Sequence, residues 1–565
     1  MLSLLVAAIL SVPPGYADDA VCAGCHRELA ESYKQVGMSQ SFYKPRPGNL
    51  IEEWNAPPYF HAPSKQYFEM RRRGDAFVFR RYQRAADGTP IHVFERPIDW
   101  VLGSGHHART YLYATPGGEL YQLPVAWYTR TREWRMAPGY DRADHDGVTR
   151  RVRHECMFCH NAYADVAKTP ESYWRSQTFP AALPHGIGCQ RCHGPGARHA
   201  ALAVSGDVEK TKRAIVNPAR LDARLRRDVC YECHMQPAVA LFGVRRFGRD
   251  VYSFRPGQPL AEYAPPIDFG EKDRFEINHH PYRLEQSRCF RESGAKLTCL
   301  TCHDPHRKVA EPQRAAHYRA ACMTCHAKAH RATEDCVSCH MPERRTQDVV
   351  HAVMTDHFIR RAPPMVDLLA PLEEREPNPT GVTFQYPDEA PAGVLGALYR
   401  LVPLVRAHGG TNAAEVKQLE ALLAEAKPAE VEPYLDLAAG LLRQRRFAEL
   451  EKTAQLILTR SPSHPLALEW LGLARLAQTG DRDEAIRLLE ESVKRDPTRA
   501  EGEFNLGLIL FGSGRVKNAI VHYQRALALR PNLAAAWRRL GEAQIAMGDA
   551  EEAAESARRA RAISP

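Results

Sequence analysis

Seven copies of the pattern C-x-x-C-H hold the residues whose types and spacing could do chemistry. In this pattern the two thiols bond covalently to the edge of a haem, and the histidine that follows ligates the haem iron. We number the motifs 1 to 7 in chain order. The cysteines are Cys22, Cys25, Cys156, Cys159, Cys189, Cys192, Cys230, Cys233, Cys299, Cys302, Cys322, Cys325, Cys336 and Cys339. The histidines are His26, His160, His193, His234, His303, His326 and His340. The sequence therefore predicts seven covalently attached haems c.

Zinc is the alternative occupant of C-x-x-C pairs. A structural zinc ion needs four ligands, so such pairs occur in twos or with a spaced pair of histidines. Here a histidine directly follows the second cysteine of every motif, which zinc does not require. Cys289 is the one cysteine outside the motifs. We expect it to be a small buried residue, with a reactive thiol as the alternative.

Each haem iron needs a second axial ligand, usually histidine or methionine, if it is to transfer electrons in the low-spin state. An open position would instead admit a substrate. His303 and His306, like His193 and His199, are too close in sequence for the second residue to reach around the same haem, so we expect His199 and His306 to serve neighbouring motifs. The candidate second ligands are His107, His185, His199, His280, His306, His330, His351, His357 and Met38.

The spacing of motifs 2 to 7 predicts how the haems pack. Cys156 to Cys339 offers roughly 31 residues per motif, too few for a separate hydrophobic core of ordinary size. We therefore expect the haems to form the core, wrapped by short helices and loops, and haems this close to conduct electrons. The formal charge of +9 is interpreted as arginine and lysine pairing with haem propionates rather than as a nucleic-acid surface.

The section 46–150 carries no motif and is predicted to be rich in β-structure. Phe77 to Tyr82 alternates in polarity and is followed by an Asp87-Gly88 turn, and a second hairpin is predicted around Pro116-Gly117-Gly118. We expect this insert to cover one haem. The alternative is the wall of a substrate pocket, formed by His106, His107, Arg109, Tyr111 and Tyr113.

Both ends of the motif-bearing part have distinctive composition. Residues 1–17 predict a secretory signal peptide cut after Ala17, although no basic residue precedes Arg27. The haem count also favours export, so we expect a periplasmic or otherwise extracytoplasmic protein without a transmembrane span, with peripheral membrane association left open. Seven prolines between Pro363 and Pro391 predict a semi-rigid linker over 363–394.

The C-terminal part, 395–565, is repetitive. Prolines at 428, 462, 497, 531 and 565 recur every 34 or 35 residues, with Leu-Gly pairs at fixed offsets. This part resembles the tetratricopeptide repeat family, with repeats at about 431–462, 463–497, 498–531 and 532–565 and a helix pair near 395–427. Such stacks offer a concave face for a protein partner or for self-association.

The motifs and their flanks also resemble a known family. The stretches from Cys189 to His199, from Cys299 to His306 and from Cys336 to Pro342 are similar to the multihaem cytochromes of the cytochrome c-554 type. The resemblance covers about 18–45 and 150–360. It implies stacked and perpendicular haem pairs, mostly with two histidine ligands, and His199 and His306 as distal ligands. This chain departs from the family in its seven motifs, its β-rich insert and its repeats, and it lacks a C-x-x-C-K motif.

These observations predict a mainly α fold. A multihaem cytochrome c domain (18–362) with short helices and a β-rich insert precedes the linker and an α-solenoid of tetratricopeptide repeats. The predicted function is electron transfer through the haem array to redox protein partners, with the repeats docking a partner and no catalytic residue assigned. One alternative is an oxidoreductase acting on a small nitrogen or sulfur compound at one open haem. The other is an assembly scaffold in which the repeats dominate.

Overall fold

The computed structural model describes residues 13–163, 166, 169–235, 244–268, 273–294, 296–326, 335–375 and 377–564. The described chain is mainly helical. A β-rich part comes first, a region of short helices follows, and a stack of helical pairs ends the chain. The predicted β-rich insert and the helical repeats are therefore confirmed.

Nine strands form the β-rich part. They are β1 Phe42–Tyr43, β2 Tyr59–His61, β3 Gln66–Arg73, β4 Ala76–Arg84, β5 Pro90–Pro97, β6 Trp100–Leu102, β7 Ala108–Ala114, β8 Leu120–Tyr128 and β9 Glu133–Met136. They make two antiparallel sheets, ordered β2-β3-β4-β5 and β1-β6-β7-β8-β9. Alternate residues of a strand face the same side of the sheet. Phe77 and Phe79 of β4 therefore point into a core that also contains Leu123 and Val125 of β8.

Short helices carry the motifs. They are α1 Asp19–Cys25, α2 Arg27–Tyr33, α3 His154–His160, α4 Gln190–His193, α5 Ala197–Ser205, α6 Val208–Arg213, α7 Ala223–His234, α8 His280–Gln286, α9 Arg288–Glu292, α10 Cys299–Cys302, α11 Arg314–Met323 and α12 Val337–His340. Helices α3, α4, α7 and α12 each end at the histidine of their motif. On a helix, residues three apart share a face, so both thiols of a motif point the same way.

Four short strands complete this region: β10 Ile267–Asp268, β11 Glu343–Arg345, β12 Val353–Thr355 and β13 Thr383–Phe384. Its interior is aromatic, because Phe158, Tyr163, Tyr231, Tyr252 and Phe254 pack together. Motifs 2 and 4 thus lie against a protein core, which the residue count per motif did not predict.

Ten longer helices form the C-terminal stack. They are α13 Gly393–Ala407, α14 Ala413–Ala426, α15 Glu432–Arg443, α16 Phe447–Arg460, α17 Pro465–Thr479, α18 Arg482–Arg495, α19 Ala500–Gly512, α20 Val516–Leu529, α21 Ala534–Met547 and α22 Ala550–Ile563. The Leu-Gly pairs have a steric reason. A Cβ atom on Gly507 of α19 would lie 2.6 Å from the Tyr523 ring of α20, so the two helices approach this closely only with glycine there.

The turns between successive repeats pack against the rest of the chain. Their contacts recur once per repeat, because equivalent turns line up along one edge of such a stack. We call these contacts the repeat–body interface. They are Gly248 N to Glu432 (2.7 Å), His464 Nε2 to Glu171 (3.0 Å), Ser176 Oγ to Thr498 O (3.3 Å), Arg530 Nη2 to Glu119 (2.7 Å) and Arg81 Nη1 to Ile563 O (3.3 Å).

The proline-rich segment before the stack is also held to the body. Strand β13 pairs antiparallel with β10, and the Glu374 carboxylate accepts a hydrogen bond from the backbone N–H of Asp141 at 2.6 Å. Proline has no backbone N–H group to donate a hydrogen bond. The other residues of this segment still form hydrogen bonds with the preceding part of the chain at these two points. Within the described residues, no helix has the length and apolar character needed to cross a bilayer.

Candidate functional site

The motifs meet in an order that differs from their order in the chain. Thiols of different motifs lie close enough to interact in the pairs Cys22–Cys189, Cys159–Cys233, Cys230–Cys299 and Cys322–Cys336. Motif 1 therefore touches motif 3, motif 4 touches both motif 2 and motif 5, and motif 6 touches motif 7. The attachment points form groups in space, which brings any attached groups into contact range.

A buried ion pair joins motifs 3 and 4. Arg191 Nη2 donates to Glu232 Oε2 at 3.3 Å and to the carbonyl of Phe158 at 2.8 Å. These three residues stand between the cysteines of motifs 3, 4 and 2, and both charged side chains are almost fully buried. Burial raises the pKa of the Glu232 carboxyl, and the Arg191 guanidinium opposes that shift. The inter-cysteine residues thus fix three motifs relative to one another.

Two motif histidines face a predicted second ligand in nearly parallel geometry. The ring centroids of His26 and His199 lie 6.3 Å apart with an interplanar angle of 15°. Those of His193 and His306 lie 5.9 Å apart at 19°. Two imidazoles that ligate one metal from opposite sides through bonds of about 2 Å have centroids roughly 6 Å apart. Both separations fit such a ligand pair.

Two further motif histidines face predicted ligands side by side. The centroids of His234 and His280 are 5.9 Å apart, with the rings nearly perpendicular. Those of His303 and His357 are 6.2 Å apart, and His280 lies 4.6 Å from His357. Helix α8 supplies His280, and the segment after β12 supplies His357. Motifs 4 and 5 therefore obtain their facing imidazoles from one small cluster.

Hydrogen bonds orient several of these rings. The Nδ1–H groups of His193, His199 and His357 donate to the carbonyls of Val216 (2.8 Å), Thr211 (2.9 Å) and Thr355 (3.2 Å). His340 does the same with Arg360 at 2.6 Å. A ring held through Nδ1 presents Nε2 as a ligand atom, the usual arrangement at metal-binding histidines.

The imidazoles that face one another at motifs 4 and 5 are held in the neutral, ligating form. Burial lowers the pKa of His234 and His303 below the usual value. It lowers the pKa of His357 to about 4 and holds that of His280 well below the usual value. With neutral nitrogens, covalently competent thiols and about 6 Å between facing rings, the donor set fits haem c.

The structure places His351 elsewhere. Its Nε2–H donates to Asp141 at 2.9 Å, and His61 Nε2 donates to the other oxygen of the same carboxylate at 3.1 Å. This cluster ties the segment before β12 to the β-rich part. The Nε2 atom of His351 is engaged in this hydrogen bond, and the structure does not bring the ring to a motif.

Four other predicted ligands are not seen opposite a motif histidine. His185 packs edge-on against Trp100, 6.2 Å between centroids. His107 lies beside the backbone of Val353, and the Met38 carbonyl accepts a hydrogen bond from the N–H of Ile187. His330 lies outside the described residues.

His160 of motif 2 has a different environment. Its Nδ1 is buried without a hydrogen-bond partner, and burial lowers its pKa to about 4. Within the part of the chain that the structure describes, no imidazole ring stands opposite it. His326 of motif 6 is exposed, and the chain that follows it is not described.

One expectation was wrong, and three residues of one alternative do not take the place that it gave them. Cys289 is exposed, not buried, because α9 lies on the surface. The pocket wall is not formed by Arg109, Tyr111 and Tyr113: all three are buried. Arg109 and Tyr111 bind the Glu52 carboxylate at 2.9 and 2.8 Å, so they stabilise the sheet interior.

Sequence reasoning missed the groups that hold His280 and His357. Arg283, three residues after His280, donates two hydrogen bonds to Asp356, the residue before His357. Arg360 adds a third at 3.0 Å. Two features of the sequence pointed to these groups: Asp356 directly precedes His357, and Arg283 lies three residues after His280 on a helix. Only the structure shows that Arg283 and Asp356 are in contact.

Comparisons with known protein families identify repeats in the C-terminal stack. Models of the tetratricopeptide repeat match residues 435–499 and 507–548. A search of curated proteins finds no match. Matching solved structures include a crystal structure of MamA, 20% identical over 26% of this chain and 84% of that chain with a TM-score of 0.24. Another is MamA 41-end from Desulfovibrio magneticus RS-1, 20% identical over 29% and 94% with a TM-score of 0.25. These low TM-scores carry no functional argument. The C-terminal region of this chain contains tetratricopeptide repeats, which imply protein–protein interaction.

Proposed function

We propose that this chain is a multihaem cytochrome c that transfers electrons through seven covalently bound haems. The observation that carries the proposal is the set of four facing imidazole pairs, each joining a motif histidine to a histidine from another segment. Four pairs at the spacing of a shared metal are not required by packing, because buried histidines usually form hydrogen bonds with backbone or carboxylate groups.

Each haem would be held by its motif's two cysteines and histidine. His199, His306, His280 and His357 would complete the irons of motifs 1, 3, 4 and 5. A bound haem c supplies an iron that cycles between two oxidation states by one electron. The chain's part is to set ligand orientation through Nδ1 hydrogen bonds and to exclude water by burial.

The contacts between motifs support transfer from one haem to the next. Motif 3 touches motif 1 through Cys189 and Cys22, and it touches motif 4 through Arg191 and Glu232. Motif 4 continues to motif 5 through the Cys230–Cys299 contact. The protein thus links motifs 1, 3, 4 and 5 in series, with motif 2 beside motif 4. The tetratricopeptide repeats would dock a protein partner or a second copy, and covalent haem attachment would require export to the periplasm.

The first test is haem stoichiometry. The full chain is produced with a c-type maturation system, and intact mass together with pyridine haemochrome absorbance gives the haem count. We expect seven haems, and six in a Cys336→Ala, Cys339→Ala variant. A wild-type mass equal to the bare polypeptide, under conditions where a control cytochrome c is loaded, contradicts the proposal.

A second candidate function is substrate turnover at motif 2. His160 is the specific observation that favours it, because no described imidazole stands opposite this buried ring. Electron paramagnetic resonance of the oxidised protein counts high-spin irons. A high-spin signal that disappears in a Cys156→Ala, Cys159→Ala variant supports an open site at motif 2. A fully low-spin spectrum removes this candidate.

A further inference from the structure

We propose that a basic surface around motifs 5 and 6 is the docking site of an acidic electron-carrier protein. The inference rests on the proposed function, because it assigns a partner to the same array. Between Ser287 and His326 the chain carries seven basic and three acidic side chains. The basic surface consists of the six exposed basic residues Arg288, Arg291, Lys296, Arg307, Lys308 and Arg314.

Half of these cations are free to meet a partner. Arg288, Arg307 and Arg314 have acidic neighbours on their own segments, in exposed pairs that contribute little. Within the described residues, Arg291, Lys296 and Lys308 form no ion pair. Seven basic and three acidic side chains give this segment a net charge of +4. Two ferric haems, each with two propionates and a singly positive iron core, would lower this charge but leave it positive.

The cations lie beside the motifs. Arg314 and the thiol of Cys302 both interact electrostatically with the Tyr318 hydroxyl. The centroid of the Tyr318 ring lies 5.7 Å from that of His303. Cys289, next to Arg288, interacts with the thiol of Cys325. Lys308 and Arg314 also reach across to His106 of the β-rich part, whose pKa is lowered first by burial and then by these two charges.

Motif 6 is also accessible. The residues between the cysteines of motifs 2, 3 and 4 are buried, whereas Thr324 and Cys325 of motif 6 are exposed. Electron transfer between two proteins requires a short distance between their redox centres. An external carrier can approach most closely where a haem-attachment motif lies at the surface. Motif 6 combines that exposure with positive charge.

Motif 1 also has an exposed cysteine, Cys25, but the segment that carries it is acidic. From Asp18 to Tyr33 the chain carries four acidic side chains and one basic side chain, and Gly24 and Cys25 are exposed. Complementary potentials speed association, and like charges suppress it. The segment beside motif 6 therefore offers an acidic carrier a more favourable charge than the segment of motif 1.

The test measures reduction of the full-length haem-loaded protein by a reduced plant-type [2Fe–2S] ferredoxin in a stopped-flow instrument. One electron leaves the cluster and one ferric iron becomes ferrous, with no bond made or broken. At low ionic strength we expect the triple variant Arg291→Glu, Lys296→Glu, Lys308→Glu to lower the second-order rate constant tenfold or more, about the size of steering effects. The wild-type rate should also fall steeply as salt is added.

The matched control is Lys417→Glu, Lys452→Glu, Arg538→Glu, which changes the net charge equally on exposed positions of the C-terminal stack and should leave the rate within about twofold. Reduction by hexaammineruthenium(II), a small cation, should not slow in either variant. Equal slowing by both triple variants, or by neither, overturns the docking site. Absence of covalent haem in the wild type is a separate result, which overturns the proposed function instead.

Discussion

Arg283 and Asp356 form a buried two-point ion pair, with Nε to Oδ1 at 2.9 Å and Nη2 to Oδ2 at 2.7 Å. Both side chains are almost fully buried. Because Arg283 shares helix α8 with His280, and Asp356 adjoins His357, the pair sets the distance between the two histidines. Their rings lie 4.6 Å apart and face motifs 4 and 5.

Asp356→Asn is expected to destabilise the fold and disturb two motifs together. Removing one partner of a buried ion pair costs about 3 to 5 kcal/mol, since the other charge stays buried. Denaturant unfolding measures the loss of stability, and the low-spin signals in electron paramagnetic resonance report ligand geometry. The matched control is Glu292→Gln, which breaks the exposed Arg288–Glu292 pair and should cost less than about 1 kcal/mol. Similar costs for both variants would contradict the positioning role.

His306→Ala is expected to remove the imidazole that faces His193 and to convert one low-spin iron to high spin. His317→Ala is the control, because the exposed His317 uses its Nε2 for the Cys302 carbonyl and should leave the spin-state count unchanged. The measurement is the electron paramagnetic resonance of the oxidised, haem-loaded protein. An unchanged spectrum of His306→Ala would show that another group ligates motif 3.

His145 is expected to make stability fall on acidification. Burial, together with the nearby His61 and Arg81, lowers its pKa to about 4, whereas an unfolded histidine titrates near 6.5. The folded state therefore binds fewer protons than the unfolded state between these values, so stability is retained above about pH 6.5 and is lost progressively toward pH 4. Urea unfolding between pH 7 and 4 measures the slope. His145→Phe keeps an aromatic ring beside Phe68 and Tyr140 and should flatten it; an unchanged slope would contradict this assignment.

Gly507→Val is expected to destabilise the third repeat. The added Cβ would meet the Tyr523 ring at 2.6 Å, and overpacking of this kind costs roughly 1 to 3 kcal/mol. Gly512→Ala provides the control, because a Cβ there meets nothing within 4 Å. Hydrogen exchange resolved along the chain should rise in 500–529 for Gly507→Val alone. Equal protection in both variants would mean that the helices separate without cost.

The sequence alone predicted the elements that follow from a local period. Alternation marked β4 near Phe77, and the recurrence of proline and Leu-Gly marked the C-terminal repeats, because strands and repeats are specified by neighbours along the chain. It also named the residues of the seven motifs, since their spacing is a covalent requirement. The haem assignment itself stays a prediction for the stoichiometry experiment.

Only the tertiary structure decided which histidine faces which motif. The sequence indicates that His199 and His306 serve neighbouring motifs. That His199 faces His26 and that His306 faces His193 depends on how distant segments of the chain pack together. His351 is an equally good candidate by residue type, but it forms a hydrogen bond with Asp141, 210 positions away in the sequence. The buried pairs Arg191–Glu232 and Arg283–Asp356 have the same origin. A charged residue's partner depends on burial and three-dimensional proximity, and neither leaves a periodic trace in the sequence.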